Sequence, residues 1–182
     1  KTGVVYVDTV GRNQDDAIVL RYSRWVMVHK RNHEAPVNEG VIPTLPDEVA
    51  PRDFHLPRQL RRLEHYDFEL AGSPHRFGDY EVGEKIDHVA GTTIEEAEHQ
   101  MATRLYQNTS KVHFDQHAAN EGRFKRRLVY GGHVLSIARA LSFNGMENAF
   151  HILAINGGAH CNPSFAGDTL YAYSEILGRQ DI

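Results

Sequence analysis

The decapeptide YQNTSKVHFD, residues 106–115, carries an amide, an imidazole and a carboxylate in Asn108, His113 and Asp115. A neutral imidazole takes a proton from water near neutral pH, so His113 is a candidate general base. Asn108 stands five residues before it, where an acid–base pair would usually hold an acid. An amide can hold and orient a water but cannot exchange its proton. Asp115 is open to two readings: it lines a substrate site, or it caps a short helix over QHAANE, as Asp commonly does. For His113 itself, an ordinary half-buried histidine is the competing reading.

Three further constellations follow in the chain. Gly131 and Gly132 stand where an apolar helix begins, GGHVLSIARALSF. Free N–H groups at a helix start favour developing negative charge, and glycine lets a substrate oxygen come close. Such a donor to an oxyanion is worth ~3 kcal/mol of barrier; alternatively the pair only shapes the turn. Arg123, Lys125, Arg126 and Arg127 put four cations in five positions, suited to phosphate or carboxylate, or to a solvated loop. His113 and His117 form H-x-x-x-H, with His133 further on. Phe114 occupies the position where a zinc protease carries its glutamate, and among 12 histidines one such pair is expected by chance, so no metal site is expected.

The composition narrows the function classes. The chain has 182 residues, 41% hydrophobic and 9% aromatic, enough for one packed domain or one and part of another. A net charge of −4, from 20 basic and 24 acidic residues, argues against binding to nucleic-acid phosphates. No run reaches the ~18 apolar residues of a membrane span, and no basic–apolar–small pattern opens the chain. Cys161 is alone, which excludes an intrachain disulfide and favours a reducing, cytoplasmic setting.

These residues need elements to hold them. Residues 3–30 read as a β-hairpin, with a polar turn GRNQDD and an irregularity near Tyr22–Ser23 where alternation slips. Residues 31–78 sustain no apolar period, and their first part, 31–57, holds five of the seven prolines, so they read as a connecting arm with a short helical piece around RQLRRLEHY. Residues 79–182 read as the main domain. GDYEVGEKIDHV is a leading strand or extended segment. Thr93 and Glu96 form a T-x-x-E capping box before a helix whose apolar face is Ile94, Ala97, Met101 and Leu105. Val134, Leu135, Ile137, Ala138 and Leu141 cover most of the second helix, which predicts its burial. FHILAINGG and TLYAYSEIL read as strands around the turn NPSFAGD. A long helix wrapped by an antiparallel sheet is an α+β arrangement. That sheet needs more strands than residues 79–182 supply. Because Lys1 leads straight into a strand, the chain is expected to be a piece of a longer one.

Taken in order, HFDQHAA, the basic loop, LVYGGHVLSIARALS and NPSFAGDTL resemble the MaoC-like (R)-specific enoyl-CoA hydratases. Those enzymes carry D-x-N-P-[LIV]-H, then an H-G step into a central helix, then a P-x-x-x-G-D-T-L-like turn. The resemblance covers nearly the whole chain; the GDT turn alone is unspecific, the ordered set much less so. It implies a hot dog fold, an antiparallel sheet around a long central helix, as part of a double hot dog. Residues 1–30 would then be the last strands of a first half, 31–78 the connection, and 79–182 a second half short of its C-terminal strands.

Carried over by position, the motif aspartate falls on Asn108, the Asn-Pro on Ser110 and Lys111, and the histidine on His113. The glycine facing the thioester oxygen falls on Gly132 and the histidine before it on Gly131, so the motif differs at four positions. The resemblance implies a hydro-lyase acting reversibly on a short branched dicarboxylic enoyl-CoA. His113 would activate water, Asn108 would position it, and Gly132 would hold the thioester oxygen. Gly131, Asp115, Arg123, Lys125 and Arg126 would contact substrate. It implies no cofactor, coenzyme A being part of the substrate, no nucleic-acid or membrane partner, and a homo-oligomer. Two alternatives stay open: a non-catalytic structural half whose partner half does the chemistry, and a dehydratase or thioesterase for another acyl-CoA.

Overall fold

In a computed structural model, the β-branched and aromatic residues at the start of the chain pair as a hairpin of β1 (Thr2–Arg12) and β2 (Ile18–His29). The structure describes residues 2–37, 40, 43–45, 48–54, 56, 58 and 64–181. These fall into two units, Lys1–Asp47 and Glu48–Ile182, each considered by itself.

The hairpin of the first unit places Tyr6 opposite Trp25, with the rings edge to face and 4.6 Å apart. Its irregularity lies at the turn, where the register shifts between Gly11 and Arg12, and not at Tyr22–Ser23. Those two pair regularly with Thr9 and Asp8. Alternation slips there because Ser23 is chosen for hydrogen bonding: its hydroxyl donates to Asp8 at 2.9 Å, beside Arg21 at 3.0 Å. The hydrogen bond from Arg21 holds the Asp8 carboxyl below its ordinary range. In the turn, Asn13 Oδ1 accepts from the Asp15 and Ala17 amides.

The second unit holds α1 (Phe68–Ala71), β3 (Lys85–Thr93), α2 (Glu96–Leu105), α3 (Gln116–Glu121), α4 (Gly131–Leu141) and β4 (Thr169–Glu175). β3 and β4 pair antiparallel from Lys85–Glu175 to Thr93–Thr169, with a bulge between Asp87 and Gly91. The bulge turns His88 inward. Its ring is fully buried and satisfied at both nitrogens, by the Asn144 carbonyl and the Ser174 hydroxyl. α4 lies against β3, β4 and α2. Among the helical piece expected around RQLRRLEHY, residues 59–63 lie outside the described ones.

Several expectations need correction. Thr93 does not cap α2: it ends β3 and shares a hydroxyl hydrogen bond with Thr169 at 2.8 Å, while Glu95 stands at the cap without a side-chain bond. Ladder pairing wins because β4 offers a matching hydroxyl directly opposite. The covered face of α2 is His99 and Thr103, whereas Met101 and Leu105 are 63% and 70% exposed. Polar partners orient this helix: Glu96 pairs with Arg127, and Gln100 reaches the His113 carbonyl. α4 is only partly covered, with Leu141 buried and Leu135 56% exposed, because two strands cover one side of it. FHILAINGG is not a strand; among the described residues nothing pairs with it, and Asn156 instead accepts from the Val49 amide.

Candidate active site

His113 closes a 3-10 turn over Lys111–His113. Two elements pin that turn. Gln100 of α2 donates its amide to the His113 carbonyl at 2.6 Å, and the Leu128 amide donates to the Val112 carbonyl at 3.0 Å. The ring itself lies with Nδ1 3.1 Å from the Leu128 carbonyl. A carbonyl only accepts, so Nδ1 carries a proton, and the neutral ring keeps its lone pair at Nε2. The half-buried ring therefore presents the tautomer a general base needs.

Tyr130 links this histidine to the start of α4. The two rings meet edge to face, centroids 6.0 Å apart. Tyr130 then folds forward over Gly132: a β-carbon at 132 would stand 2.5 Å from its Cζ and 2.6 Å from its hydroxyl oxygen. Gly131 is covered the same way by His160, whose Nε2 would stand 2.5 Å from a β-carbon there. A β-carbon at either glycine would force the overlying side chain to shift. The Tyr130 carbonyl takes the His133 and Val134 amides, so the helix start has donors at Gly131 and Gly132 that the helix does not consume.

The other candidates are tied more locally. Asn108 follows Gln107, a left-handed residue at φ 51°, and its Oδ1 accepts from the Ser110 amide at 2.9 Å. Its amide NH₂ is left to face other groups. Asp115 caps α3, accepting from the Ala118 amide at 2.9 Å. The basic run divides. Arg127 pairs with Glu96, and Arg126 lies over the Phe165 ring at 3.7 Å with Asp168 4.0 Å away. Arg123 and Lys125 make no ion pair among the described residues. Beyond them, α2 and α4 enclose a groove of about 400 Å³ lined by Glu98, Met101, Leu105, Tyr106, His133 and Ser136. It ends at Tyr106, whose ring is 6.4 Å from that of Tyr130.

On the covered face of α2, His99 is fully buried with Nε2 3.3 Å from Glu96, and burial, then the nearby His133, push its basicity below the ordinary range. His133 in turn has Nε2 3.3 Å from Glu98. Among the described residues, no group of three or more potential metal ligands gathers. Sequence reasoning missed Gln100, Tyr130 and His160. An aromatic directly before Gly-Gly was a signal for Tyr130; nothing short of the fold brings His160 to Gly131.

The comparisons with known proteins agree with this architecture. Residues 78–182 match the family model described as a MaoC like domain. The chain belongs to the MaoC-like family. It is 60% identical over 182 residues to beta-methylmalyl-CoA dehydratase of Chloroflexus aurantiacus, spanning 100% of this chain and 51% of that one. It is 56% identical over 180 residues to mesaconyl-CoA hydratase of Cereibacter sphaeroides, spanning 99% and 51%. A solved Chloroflexus aurantiacus structure, described as a MaoC domain protein dehydratase, superposes with a TM-score of 0.90 at 60% identity, over 98% of this chain and 50% of that one. A Mycobacterium tuberculosis protein described as a double hot dog matches with a TM-score of 0.65 at 22% identity, over 100% and 52%. The MaoC-like chain is thus α+β, of the hot dog fold as part of a double hot dog. It spans about half the length of the curated relatives it matches.

Proposed function

We propose that the protein carrying this MaoC-like chain is a hydro-lyase that reversibly adds water to mesaconyl-CoA, giving β-methylmalyl-CoA. The observation that carries the reading is the pairing of His113, its Nε2 lone pair free, with the unconsumed amide of Gly132 across the Tyr130 ring. The names of the two curated relatives support the substrate.

In the proposed reaction, His113 Nε2 takes a proton from water as the oxygen bonds to the β-carbon. The double-bond electrons move toward the thioester, whose oxygen gains enolate charge against the Gly132 amide. The same imidazole returns its proton to the α-carbon, completing addition of one water. The amide NH₂ of Asn108 orients that water. Arg123, Lys125 and Arg126 meet the coenzyme A phosphates, Arg126 by leaving its distant approach to Asp168. The α2–α4 groove receives the acyl and pantetheine part, with the Gly131 amide turned to the substrate and Asp115 holding the turn beside it. Coenzyme A is substrate, and no further cofactor enters. A homo-oligomer of double hot dog chains in the cytoplasm completes the reading.

The test is a hydration assay of the intact protein with mesaconyl-CoA, followed by His113→Ala. A loss of about 10²–10⁴-fold in kcat is expected; near-normal turnover in the variant would sink the role of His113.

A second reading is favoured by Asn108, whose carbonyl serves a turn and whose amide cannot carry a proton. In it, this half is structural and the catalytic acid and base lie on another half. Asn108→Asp separates the two: a gain in rate favours catalysis here, and an unchanged rate favours the structural role.

A further inference from the structure

Tyr130 touches both ends of the proposed chemistry. Its ring meets His113 edge-on, and its hydroxyl end overlies Gly132, 2.6 Å from the position a β-carbon would take. The residue is half-buried, and among the described residues its hydroxyl has no hydrogen-bond partner. Its O–H is a donor held at the glycine whose amide faces the thioester oxygen in the proposed function. The glycine matters here for the phenol as much as for the substrate, since any side chain at 132 would push the ring away.

We propose that the Tyr130 hydroxyl is a second hydrogen-bond donor to the thioester oxygen of the bound substrate, beside the Gly132 amide. This rests on the hydratase reading above. One amide supplies a single donor to an enolate oxygen; two donors match its two in-plane lone pairs. The hydroxyl gives no proton away. It shares its hydrogen more strongly as the oxygen gains charge and relaxes as the proton reaches the α-carbon. The interaction is therefore stronger in the transition state than in the ground state, and its removal acts on kcat.

Tyr130→Phe keeps the ring against His113 and Gly132 and removes only the donor, so a packing role predicts no loss. In the intact protein with mesaconyl-CoA, kcat should fall by about tenfold or more while KM stays within about threefold. A kcat within about threefold of wild type, or a loss confined to KM, overturns the proposal. A second measurement works without turnover: the infrared carbonyl band of a saturated acyl-CoA labelled with carbon-13 at the thioester. It should move to lower frequency on binding to wild type and recover part of that shift in Tyr130→Phe. An undiminished shift in the variant overturns Tyr130 alone. An unshifted band in wild type overturns the carbonyl site at Gly132, and with it the hydratase reading.

Discussion

His160 lies against Gly131 so closely that its Nε2 is 2.5 Å from where a β-carbon at 131 would stand. A side chain at 131 and the imidazole of residue 160 compete for one volume. The position where the resemblance expects a histidine is thus glycine, and an imidazole from a distant loop fills the space. Gly131→Ala should displace His160 and cost about 1–3 kcal/mol of stability through overpacking. His160→Ala should remove most of that cost, giving a coupling of about 0.5–3 kcal/mol in a double-mutant cycle of urea unfolding. Additive effects would mean that the ring moves aside freely.

The turn that carries His113 depends on Gln100. Its amide reaches the His113 carbonyl at 2.6 Å, from a side chain whose own carbonyl oxygen is buried without a partner among the described residues. Gln100→Leu removes the donor but keeps the volume, leaving the His113 carbonyl unsatisfied at about 1–3 kcal/mol. Thermal unfolding should register that loss. Activity should fall further than stability alone accounts for, because the imidazole is aimed by this turn. An equal kcat in the variant would show that Leu128 alone aims the ring.

Stability should fall on mild acidification, and His99 gives the sign. Burial first, then the charge of His133, lower its pKa below the ordinary 6.5, with Glu98 opposing. The folded state therefore binds fewer protons than the unfolded state. The His99 contribution is fully present above pH 6.5 and is lost progressively as pH falls toward the folded-state value. Urea midpoints measured from pH 8 to 5.5 should decline across this window. His99→Leu should flatten the decline whatever it does to stability at pH 8; an unaltered slope would assign the titration elsewhere.

How far these features were legible in the sequence follows from what each depends on. Hairpin β1–β2, the α3 cap at Asp115 and the start of α4 at Gly131 rest on contacts near in sequence, and each was readable. The cap of α2 was misread because Thr93 has a partner 76 residues away in Thr169. The α2 face was misread because apolar spacing pointed to Met101 and Leu105, while polar pairs to Arg127 and His113 turned the helix. His113 and Gly132 became candidates from motif order alone. The groups around them, Gln100 and His160, arrive by tertiary contact from α2 and from a segment with no regular structure.

The loop after α4 offers the last test. Gly145 adopts φ +86°, a conformation glycine tolerates and other residues resist, and a β-carbon there would meet Ile86 Cγ2 at 2.9 Å. Its amide donates to Glu147 at 3.0 Å and its carbonyl accepts from Tyr80 at 3.2 Å. The amide bond keeps the Glu147 carboxyl below its ordinary range, and burial raises Tyr80. The residue before it, Asn144, supplies the carbonyl that holds buried His88 in the β3 bulge. Gly145→Ala thus combines backbone strain with a push on β3, and about 1–3 kcal/mol should be lost in urea unfolding. Gly157→Ala, where a β-carbon meets nothing within 4 Å, should cost far less. Equal losses at the two positions would remove the Ile86 contact and the Gly145 backbone from the account of how β3 is held.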